Sequence, residues 1–136
     1  MLKIPEGAKT LILFAHGSGS SRHSPRNNYV ADFLNEGHLG TLLIDLLTPL
    51  EDQDYQMRFN IDILQERLRQ VIEWLFAQSA TKSLAIGLFG SSTGAAAALQ
   101  AAAVLGAKIQ SIVSRGGRPD LSISFATLRV VAAPSI

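Results

Sequence analysis

The sequence contains no cysteine and few charged residues. Of its 136 residues, 17% are charged and 47% are hydrophobic, and the formal net charge is +1. The absence of cysteine excludes disulfides, thiolate zinc sites and a cysteine nucleophile. The low net charge gives no overall field to attract nucleic acid or an anionic membrane. No apolar run reaches the roughly 18 residues of a membrane-spanning helix. We therefore predict a cytoplasmic protein without nucleic-acid or membrane partners.

Histidine is also scarce. The three histidines, His16, His23 and His38, all lie in the first third of the chain, at irregular spacing. That spacing gives no pattern of metal ligands, so we predict neither a metal site nor a cofactor.

What the sequence does have is an alternation of apolar strands and helices. Four strands are predicted, at Thr10–Ala15, Thr41–Leu47, Ser83–Phe89 and Lys108–Arg115. The residues from Leu128 onward are predicted to lead into another strand. Three helices are predicted between them, over Tyr29–Glu36, from Asn60 onward, and from Ala95 to about Leu105. This order is typical of a parallel sheet with right-handed crossovers. We predict an α/β fold, a three-layer sandwich with a mostly parallel sheet, as one domain over residues 1–136.

Local patterns predict details of these elements. Tyr29, Val30, Phe33 and Leu34 have the spacing of one helical face. Gly37 suits the C-terminal cap of that helix, and residues 48–58 are predicted to form a surface loop. The helix after Asn60 carries one apolar stripe, which comprises Ile61, Leu64, Leu68, Val71, Ile72 and Leu75.

The most informative segment is Gly90-Ser-Ser-Thr-Gly94, between a predicted strand and a predicted helix. It fits G-x-S-x-G, in which a serine sits on a sharp strand-to-helix turn and its neighbours two positions away must be small. The turn would expose the Ser92 hydroxyl at a helix N-terminus, whose free N–H groups can bind an oxyanion. A second interpretation is open, in which the glycines only pack the helix on the sheet.

The loops that follow the predicted strands meet at one edge of a parallel sheet, where ligands bind in such folds. Two of them, residues 16–28 and 90–94, are the most glycine-rich segments of the chain. Their common position favours a functional site at this edge.

These segments also carry a family resemblance. His16-Gly-Ser-Gly19 and Gly90-Ser-Ser-Thr-Gly94 resemble the α/β-hydrolase superfamily. The longer runs Phe14–Asn27, Leu43–Thr48 and Ser114–Leu121 are similar to its dienelactone-hydrolase-like branch, some members of which are fused to phosphoribosyltransferase domains. The likeness covers roughly residues 4–134. It implies a hydrolase of carboxylic esters or lactones without a cofactor.

The resemblance implies a role for each matching position. Ser92 would be the nucleophile that forms an acyl-enzyme. The backbone N–H groups of Thr93 and Ser18 would form the oxyanion hole. Gly90, Gly94, His16 and Gly17 would set the geometry of the turn and of the facing loop.

The sequence departs from the family pattern in its acid and its base. Dienelactone hydrolases proper use cysteine where this chain has Ser92, and the family places the acid and the histidine after the nucleophile. All histidines here precede Ser92, so the catalytic histidine is expected to be missing. The family's acid follows a strand that residues 133–136 only begin, and the strands that usually precede His16 are also lacking. The resemblance therefore implies that the acid is missing too and that the domain is truncated at both ends. Asp120 is a weaker candidate for the acid, since an aspartate after Pro119 commonly caps a turn.

Four arginines and Asp45 each allow two interpretations. Arg22, Arg115 and Arg118, together with Arg26, either favour an anionic substrate or brace loops by binding carbonyl groups. Asp45 either faces the site or anchors a loop.

The histidines are weaker candidates. His16 is expected to fix its loop, His23 is a poor candidate for a base, and His38 is expected to be solvated.

Two alternative functions are open at this point. One is an inactive remnant of the hydrolase fold, which would expose sheet edges and self-associate. The other is a nucleotide-binding module with a phosphate at Gly87–Gly94, although a Walker lysine and a G-x-G-x-x-G pattern are lacking.

Overall fold

The protein folds around one six-stranded sheet with the strand order β1-β3-β2-β4-β5-β6. The computed structural model describes residues 1–115 and the backbone of residues 130–133. The strands are β1 Leu2–Lys3, β2 Thr10–Ala15, β3 Gly40–Leu43, β4 Ala85–Ser91, β5 Ile109–Arg115 and β6 Val130–Ala133. The helices are α1 Pro25–Glu36, α2 Tyr55–Arg58, α3 Ile61–Ala77 and α4 Thr93–Leu105. Neighbouring strands are parallel except β1, which is antiparallel to β3.

The sheet separates two apolar cores, because successive strand residues point to opposite faces. Leu13, Leu42 and Leu88 lie in the core formed with α3 and α4, whereas Phe14 and Phe89 lie in the core formed with α1. Helices thus cover both faces of the sheet. The predicted three-layer α/β fold with a mostly parallel sheet is confirmed.

Helix α3 follows its sequence pattern closely. Asn60 caps it, since its side-chain oxygen accepts a hydrogen bond from the N–H of Ile63 at 3.2 Å. The four fully buried residues of the predicted stripe are Leu64, Leu68, Ile72 and Leu75. The stripe packs in the same core as α4, whose alanines from Ala95 to Ala102 are almost all inaccessible to solvent. Small side chains let α4 lie directly on the strands.

The predicted apolar face of α1 is only partly buried. Val30 and Leu34 pack against the core, but Tyr29 is 75% exposed and Phe33 is 69% exposed. The buried positions are Asn27, Ala31 and Asn35, each four residues after the last. Asn35 is buried because its amide donates to Leu39 O and Thr41 Oγ1. Half of the predicted apolar face therefore packs on the core, because the side of α1 that carries the hydrogen-bonded Asn35 faces the sheet.

Helix α1 starts earlier than predicted, whereas Gly37 is its C-terminal cap as predicted. The helix begins at Pro25, four residues earlier than predicted, where the Ser24 side chain accepts from Asn27 N. At the other end Gly37 has φ −85°, and the left-handed residue is His38 with φ 65°. The cap therefore does not need the conformational freedom of glycine. His38 is solvent-exposed, as predicted.

Residues 48–58 are not one irregular loop. They contain a 3₁₀ turn at Glu51–Gln53 and the short helix α2, so the loop prediction was wrong there. A bidentate ion pair joins Glu51 to Arg67 of α3, and Arg67 also donates to Leu46 O. The carboxylate of Glu51 further accepts from Thr48 N at 2.9 Å. These bonds hold the chain after β3 against α3.

The outermost strands of the sheet are β1 and β6. Association of the protein through these edges stays a prediction. Within the described residues, no helix is both long enough and apolar enough to span a membrane.

We predict that the Glu51 ion pair makes stability depend on acid pH. Its hydrogen bonds to Arg67, and secondarily to Thr48, lower the pKa of Glu51 from 4.5 to about 2. Since the folded-state pKa is depressed, the stabilisation is present above pH 4.5 and is lost as the pH falls toward 2. The difference in unfolding free energy between wild type and Glu51→Gln, measured by urea denaturation, should therefore shrink over this range.

The matched control is Glu73→Gln on the exposed side of α3, since Glu73 forms no ion pair with a described residue. It should match wild type at neutral pH. A Glu51→Gln protein as stable as wild type at pH 7 would contradict the stabilising role of the pair.

Candidate active site

Ser92 occupies a strained turn between β4 and α4. Its backbone has φ 53° and ψ −122°, and apart from His38 it is the only non-glycine residue of the described chain with a positive φ. Such a conformation costs about 1–3 kcal/mol for a residue with a side chain, and it persists only where the surroundings enforce it. Ser92 is partly exposed, and its hydroxyl makes no hydrogen bond to another described residue. The turn is the one that the G-x-S-x-G pattern predicts.

The two glycines of the turn are required by close backbone packing. A Cβ on Gly90 would lie 2.5 Å from Ala95 Cα, in the first turn of α4. A Cβ on Gly94 would lie 2.1 Å from Ala15 O and 2.4 Å from His16 O, at the end of β2. The second interpretation of the glycines, that they pack the helix on the sheet, is therefore also correct. Here close packing is what enforces the strained turn.

The loop after β2 lies directly against the turn. A Cβ on Gly17 would lie 3.1 Å from both Ser91 O and Ser92 Cβ. Because Gly17 has no side chain, its backbone can approach the Ser92 side chain this closely. The structure thus brings together the two glycine-rich segments that the sequence placed at one sheet edge.

His16 fixes this loop with both ring nitrogens. Its Nε2 accepts from the Leu46 N–H at 3.0 Å, so Nδ1 carries the proton and donates to Gly17 O at 2.9 Å. The ring is only 7% exposed. His16 therefore ties the segment after β2 to the segment after β3, and neither nitrogen is free to accept a proton from a nucleophile.

The hydrogen bonds on Gly17 O also orient the N–H of Ser18. Gly17 O accepts from His16 Nδ1 and from Ser20 N at 3.1 Å. In a trans peptide the N–H points away from the C=O, so holding Gly17 O on one side directs the Ser18 N–H to the other. This N–H makes no hydrogen bond to another described residue.

Ser18 and Thr93 line one small cavity. Its volume is about 10 Å³, enough for roughly one water molecule. Thr93 is the first residue of α4, where a backbone N–H has no partner within the helix. The two residues whose N–H groups the family resemblance assigns to oxyanion binding therefore line the same cavity. Its full lining is His16, Gly17, Ser18, Gly19, Leu47, Asp52, Arg58, Leu64 and Thr93.

Two of these lining residues were missed by sequence reasoning. Arg58 donates from Nε to Asp52 O at 2.7 Å and forms an ion pair with Asp52 Oδ1 at 3.2 Å. Both belong to the segment predicted as a loop, and no pattern in the sequence marks them. A neighbouring cleft of about 180 Å³ shares His16, Leu47 and Asp52 with the small cavity.

Arg22 and Asp45 bind each other. Asp45 accepts from both Arg22 N and Arg22 Nη1, each at 2.7 Å. Asn28 Nδ2 donates to Arg22 O at 2.9 Å, which adds a further bond to the same loop. The geometry favours the bracing interpretation for Arg22 and Asp45.

The other predicted residues are less closely tied to the turn. His23 is exposed, and no hydrogen bond joins its ring to Ser92 within the described chain. Arg115 ends β5 and is the register partner of Ser91 on β4. Asp120 and Arg118 lie outside the described residues. In the described part of the chain, no three His, Cys, Asp or Glu residues are grouped closely enough to hold a metal ion.

The chain has close relatives of known sequence. No family model matches it. Two Mycobacterium tuberculosis proteins that carry the name phosphoribosyl transferase, from strains CDC 1551 / Oshkosh and ATCC 25618 / H37Rv, are each 50% identical to it over 135 residues. The match takes in 99% of this chain and 30% of each relative. The chain thus spans less than a third of the length of these relatives.

Solved structures identify the fold. An α/β serine hydrolase without a lid from Xanthomonas campestris superposes with a TM-score of 0.71 at 21% identity, over 98% of this chain and 63% of that one. The protein therefore has the α/β-hydrolase fold. A dienelactone hydrolase from Anabaena variabilis ATCC 29413 superposes with a TM-score of 0.93 at 46% identity, over 98% of this chain and 65% of that one. The predicted resemblance to the dienelactone-hydrolase branch is confirmed.

We predict that Gly94→Ala strongly destabilises the protein. The added Cβ meets the carbonyl oxygens of Ala15 and His16 at distances that require the backbone to move. The expected loss is about 3 kcal/mol or more of unfolding free energy, measured by urea denaturation. Gly37→Ala is the control, because its Cβ meets nothing closer than 3.5 Å and its φ is ordinary. It should change stability by less than about 1 kcal/mol. Equal stability of the two variants would contradict the packing described for the turn.

Proposed function

We propose that the chain provides the nucleophile and the oxyanion hole of a serine hydrolase that acts on carboxylic esters or lactones. The observation that carries the proposal is the strained backbone of Ser92 beside the N–H groups of Ser18 and Thr93, which make no hydrogen bond to another described residue. The 46% identity to a dienelactone hydrolase supports the choice of substrate class.

In the first step, Ser92 Oγ attacks the carbonyl carbon of the ester. A C–O bond forms, the Oγ proton passes to a general base, and the carbonyl oxygen becomes an oxyanion. The oxyanion accepts hydrogen bonds from Ser18 N and Thr93 N. The bond to the alcohol oxygen then breaks, that oxygen takes the proton from the base, and the acyl group stays on Ser92.

In the second step, water attacks the acyl-enzyme. The base accepts a proton from the water, a second oxyanion forms in the same hole, and Ser92 leaves with the proton restored to its oxygen. The acid product is released. For a lactone, the alcohol and the acid are parts of one ring-opened molecule.

His16 acts in this proposal as a positioning residue. Its Nδ1–H holds Gly17 O, and so it keeps the Ser18 N–H directed at the oxyanion. A donor that is fixed before the reaction requires no reorganisation when charge develops, and loss of one such donor typically costs about 100–1,000-fold in rate.

We assign the role of general base to none of the three histidines of this chain. His16 uses both ring nitrogens in the loop, His38 is exposed in the turn after α1, and His23 makes no ring hydrogen bond to Ser92 among the described residues. We assign the base and its acid partner to residues outside these 136. For this chain alone we expect slow turnover, because an unactivated serine is a weak nucleophile.

The proposal is tested with p-nitrophenyl butyrate hydrolysis in the presence and absence of imidazole, which can act as an external base. The rate in protein-free buffer with the same imidazole concentration is subtracted from each measurement. Imidazole should then raise the hydrolysis rate of the wild-type protein at least about tenfold, because it takes the proton from Ser92. Ser92→Ala should show no rate above buffer. Ser83→Ala is the matched control, since Ser83 is exposed before the opposite end of β4.

Equal rates for wild type and Ser92→Ala, with and without imidazole, would refute Ser92 as a nucleophile. That result would favour a non-catalytic role for the fold.

A further inference from the structure

A cleft of about 180 Å³ opens beside the small cavity that Ser18 and Thr93 line. The two spaces share His16, Leu47 and Asp52 as lining residues. The cavity has room for roughly one water molecule, and the cleft is much larger. The cavity can therefore take a single carbonyl oxygen, and the cleft can take the rest of a small molecule that carries this oxygen.

Three side chains that line the cleft have unused hydrogen-bonding capacity. The Ser20 hydroxyl makes no hydrogen bond to a described residue, and the Ser21 hydroxyl accepts from His23 N at 3.1 Å but donates to none of them. Asp52 uses Oδ1 for its ion pair with Arg58, so Oδ2 has no partner within the described chain. All three groups can accept a hydrogen bond, and the two hydroxyls can also donate one.

The cleft offers no charged donor to an anion. Among the described residues, its lining contains neither lysine nor arginine. Its second carboxylate, Asp45, is bonded to Arg22 N and Nη1, each at 2.7 Å, and both ring nitrogens of His16 are used within the protein. An entering carboxylate would therefore meet two other carboxylates, whereas a neutral hydroxyl group finds both donors and acceptors.

Two apolar residues give the cleft a nonpolar wall. Leu47 is buried, and Pro49 lies two positions further along the segment after β3. The carbon-bound hydrogens of a small ring can pack against such a wall while its hydroxyl groups face the polar side chains. Ligand sites commonly combine an apolar surface with a few polar groups that fix the orientation of the ligand.

We infer that this cleft binds the hydroxyl groups of a neutral polyhydroxy lactone, such as the lactone of a sugar acid. The carbonyl oxygen of the lactone lies in the small cavity, and the ring hydroxyls exchange hydrogen bonds with Ser20, Ser21 and Asp52. A lactone without hydroxyl groups leaves these side chains without partners, so it binds less tightly. The role of this lactone as substrate rests on the proposed function; its binding in the cleft does not.

Binding is measured in NMR titrations of the 136-residue Ser92→Ala protein, in which the lactone stays intact. The backbone N–H signals of Ser20, Ser21 and Asp52 are followed during addition of D-ribono-1,4-lactone or of γ-butyrolactone, which has the same ring without hydroxyl groups. The hydroxylated lactone should shift these signals saturably and bind at least about tenfold more tightly, since it adds several hydrogen bonds. Equal affinity for the two lactones would overturn the inference.

Sodium D-ribonate tests the preference for a neutral ligand. This ring-opened acid keeps the hydroxyl groups and adds a carboxylate, which meets the carboxylates of Asp45 and Asp52 in the cleft. At matched ionic strength it should bind at least about tenfold more weakly than the lactone, because like charges brought together disfavour binding. Binding of ribonate as tight as that of the lactone, or tighter, would also overturn the inference.

Ser20→Ala tests the cleft by removing a hydroxyl that has no partner among the described residues. It should weaken the binding of D-ribono-1,4-lactone at least about threefold, since one hydrogen bond to the ligand is lost. Its melting temperature without ligand should equal that of wild type. Ser83→Ala, exposed before the opposite end of β4, should bind the lactone as wild type does. An unchanged lactone affinity in Ser20→Ala would contradict the inference.

The role as substrate has its own readout. In the imidazole assay, ring opening is followed as acid release with a pH indicator, and each rate is divided by that of the same lactone in protein-free imidazole. Wild type should favour D-ribono-1,4-lactone over γ-butyrolactone at least about tenfold in kcat/KM, and Ser20→Ala should lower this preference at least about threefold.

The outcomes separate the inference from the proposed function. Binding of the hydroxylated lactone without a preference in kcat/KM would overturn its assignment as substrate. Absence of Ser92-dependent ring opening for both lactones would refute the proposed function, and the NMR titration would still decide whether the cleft binds a hydroxylated ring.

Discussion

The candidate site depends on the contact between Gly94 and the end of β2. At Gly94 the backbone of α4 meets the carbonyl oxygens of Ala15 and His16 with no room for a side chain. This contact sets how deeply the first turn of α4 sits on the sheet. A Cβ on Gly90 would likewise lie only 2.5 Å from Ala95 Cα. The chain between β4 and α4 therefore has too little space for a relaxed turn, and Ser92 takes a backbone conformation with positive φ.

A second constraint brings the facing loop into place. His16 bridges the segments after β2 and β3, and its two bonds determine the direction of the peptide between Gly17 and Ser18. The Glu51–Arg67 pair holds the following segment against α3, where Asp52 and Arg58 border the same small cavity. Backbone packing and neutral hydrogen bonds thus position Ser92 and Ser18, and an ion pair holds the segment that carries Asp52 and Arg58.

Much of this arrangement can be predicted from the sequence, because it is encoded locally. The stripe of α3, its Asn60 cap and the G-x-S-x-G turn each depend on residues within a few positions of one another, and all three occur as predicted. The parallel direction of β2 to β6 follows from the alternation of elements, whereas the antiparallel edge strand β1 was not predicted. The resemblance to dienelactone hydrolases could also be stated from the motifs alone.

What could not be predicted depends on contacts between distant segments. The orientation of α1 is decided by the hydrogen bonds of Asn35 to Leu39 and Thr41. Tyr29 and Phe33, which the helical spacing grouped with Val30 and Leu34, are therefore exposed. The Arg22–Asp45 pair joins residues 23 positions apart, and spacing alone left the role of Arg22 open.

We propose that the fold holds Ser92 in a strained conformation that serves its chemistry and not its stability. The most direct test is the unfolding free energy of Ser92→Gly relative to wild type, by urea denaturation. Glycine relieves a strain of about 1–3 kcal/mol at a positive φ but loses more backbone entropy on folding, so we predict a net gain in unfolding free energy of about 1 kcal/mol. A loss of about 0.5–1 kcal/mol, as glycine causes where no strain exists, would contradict it.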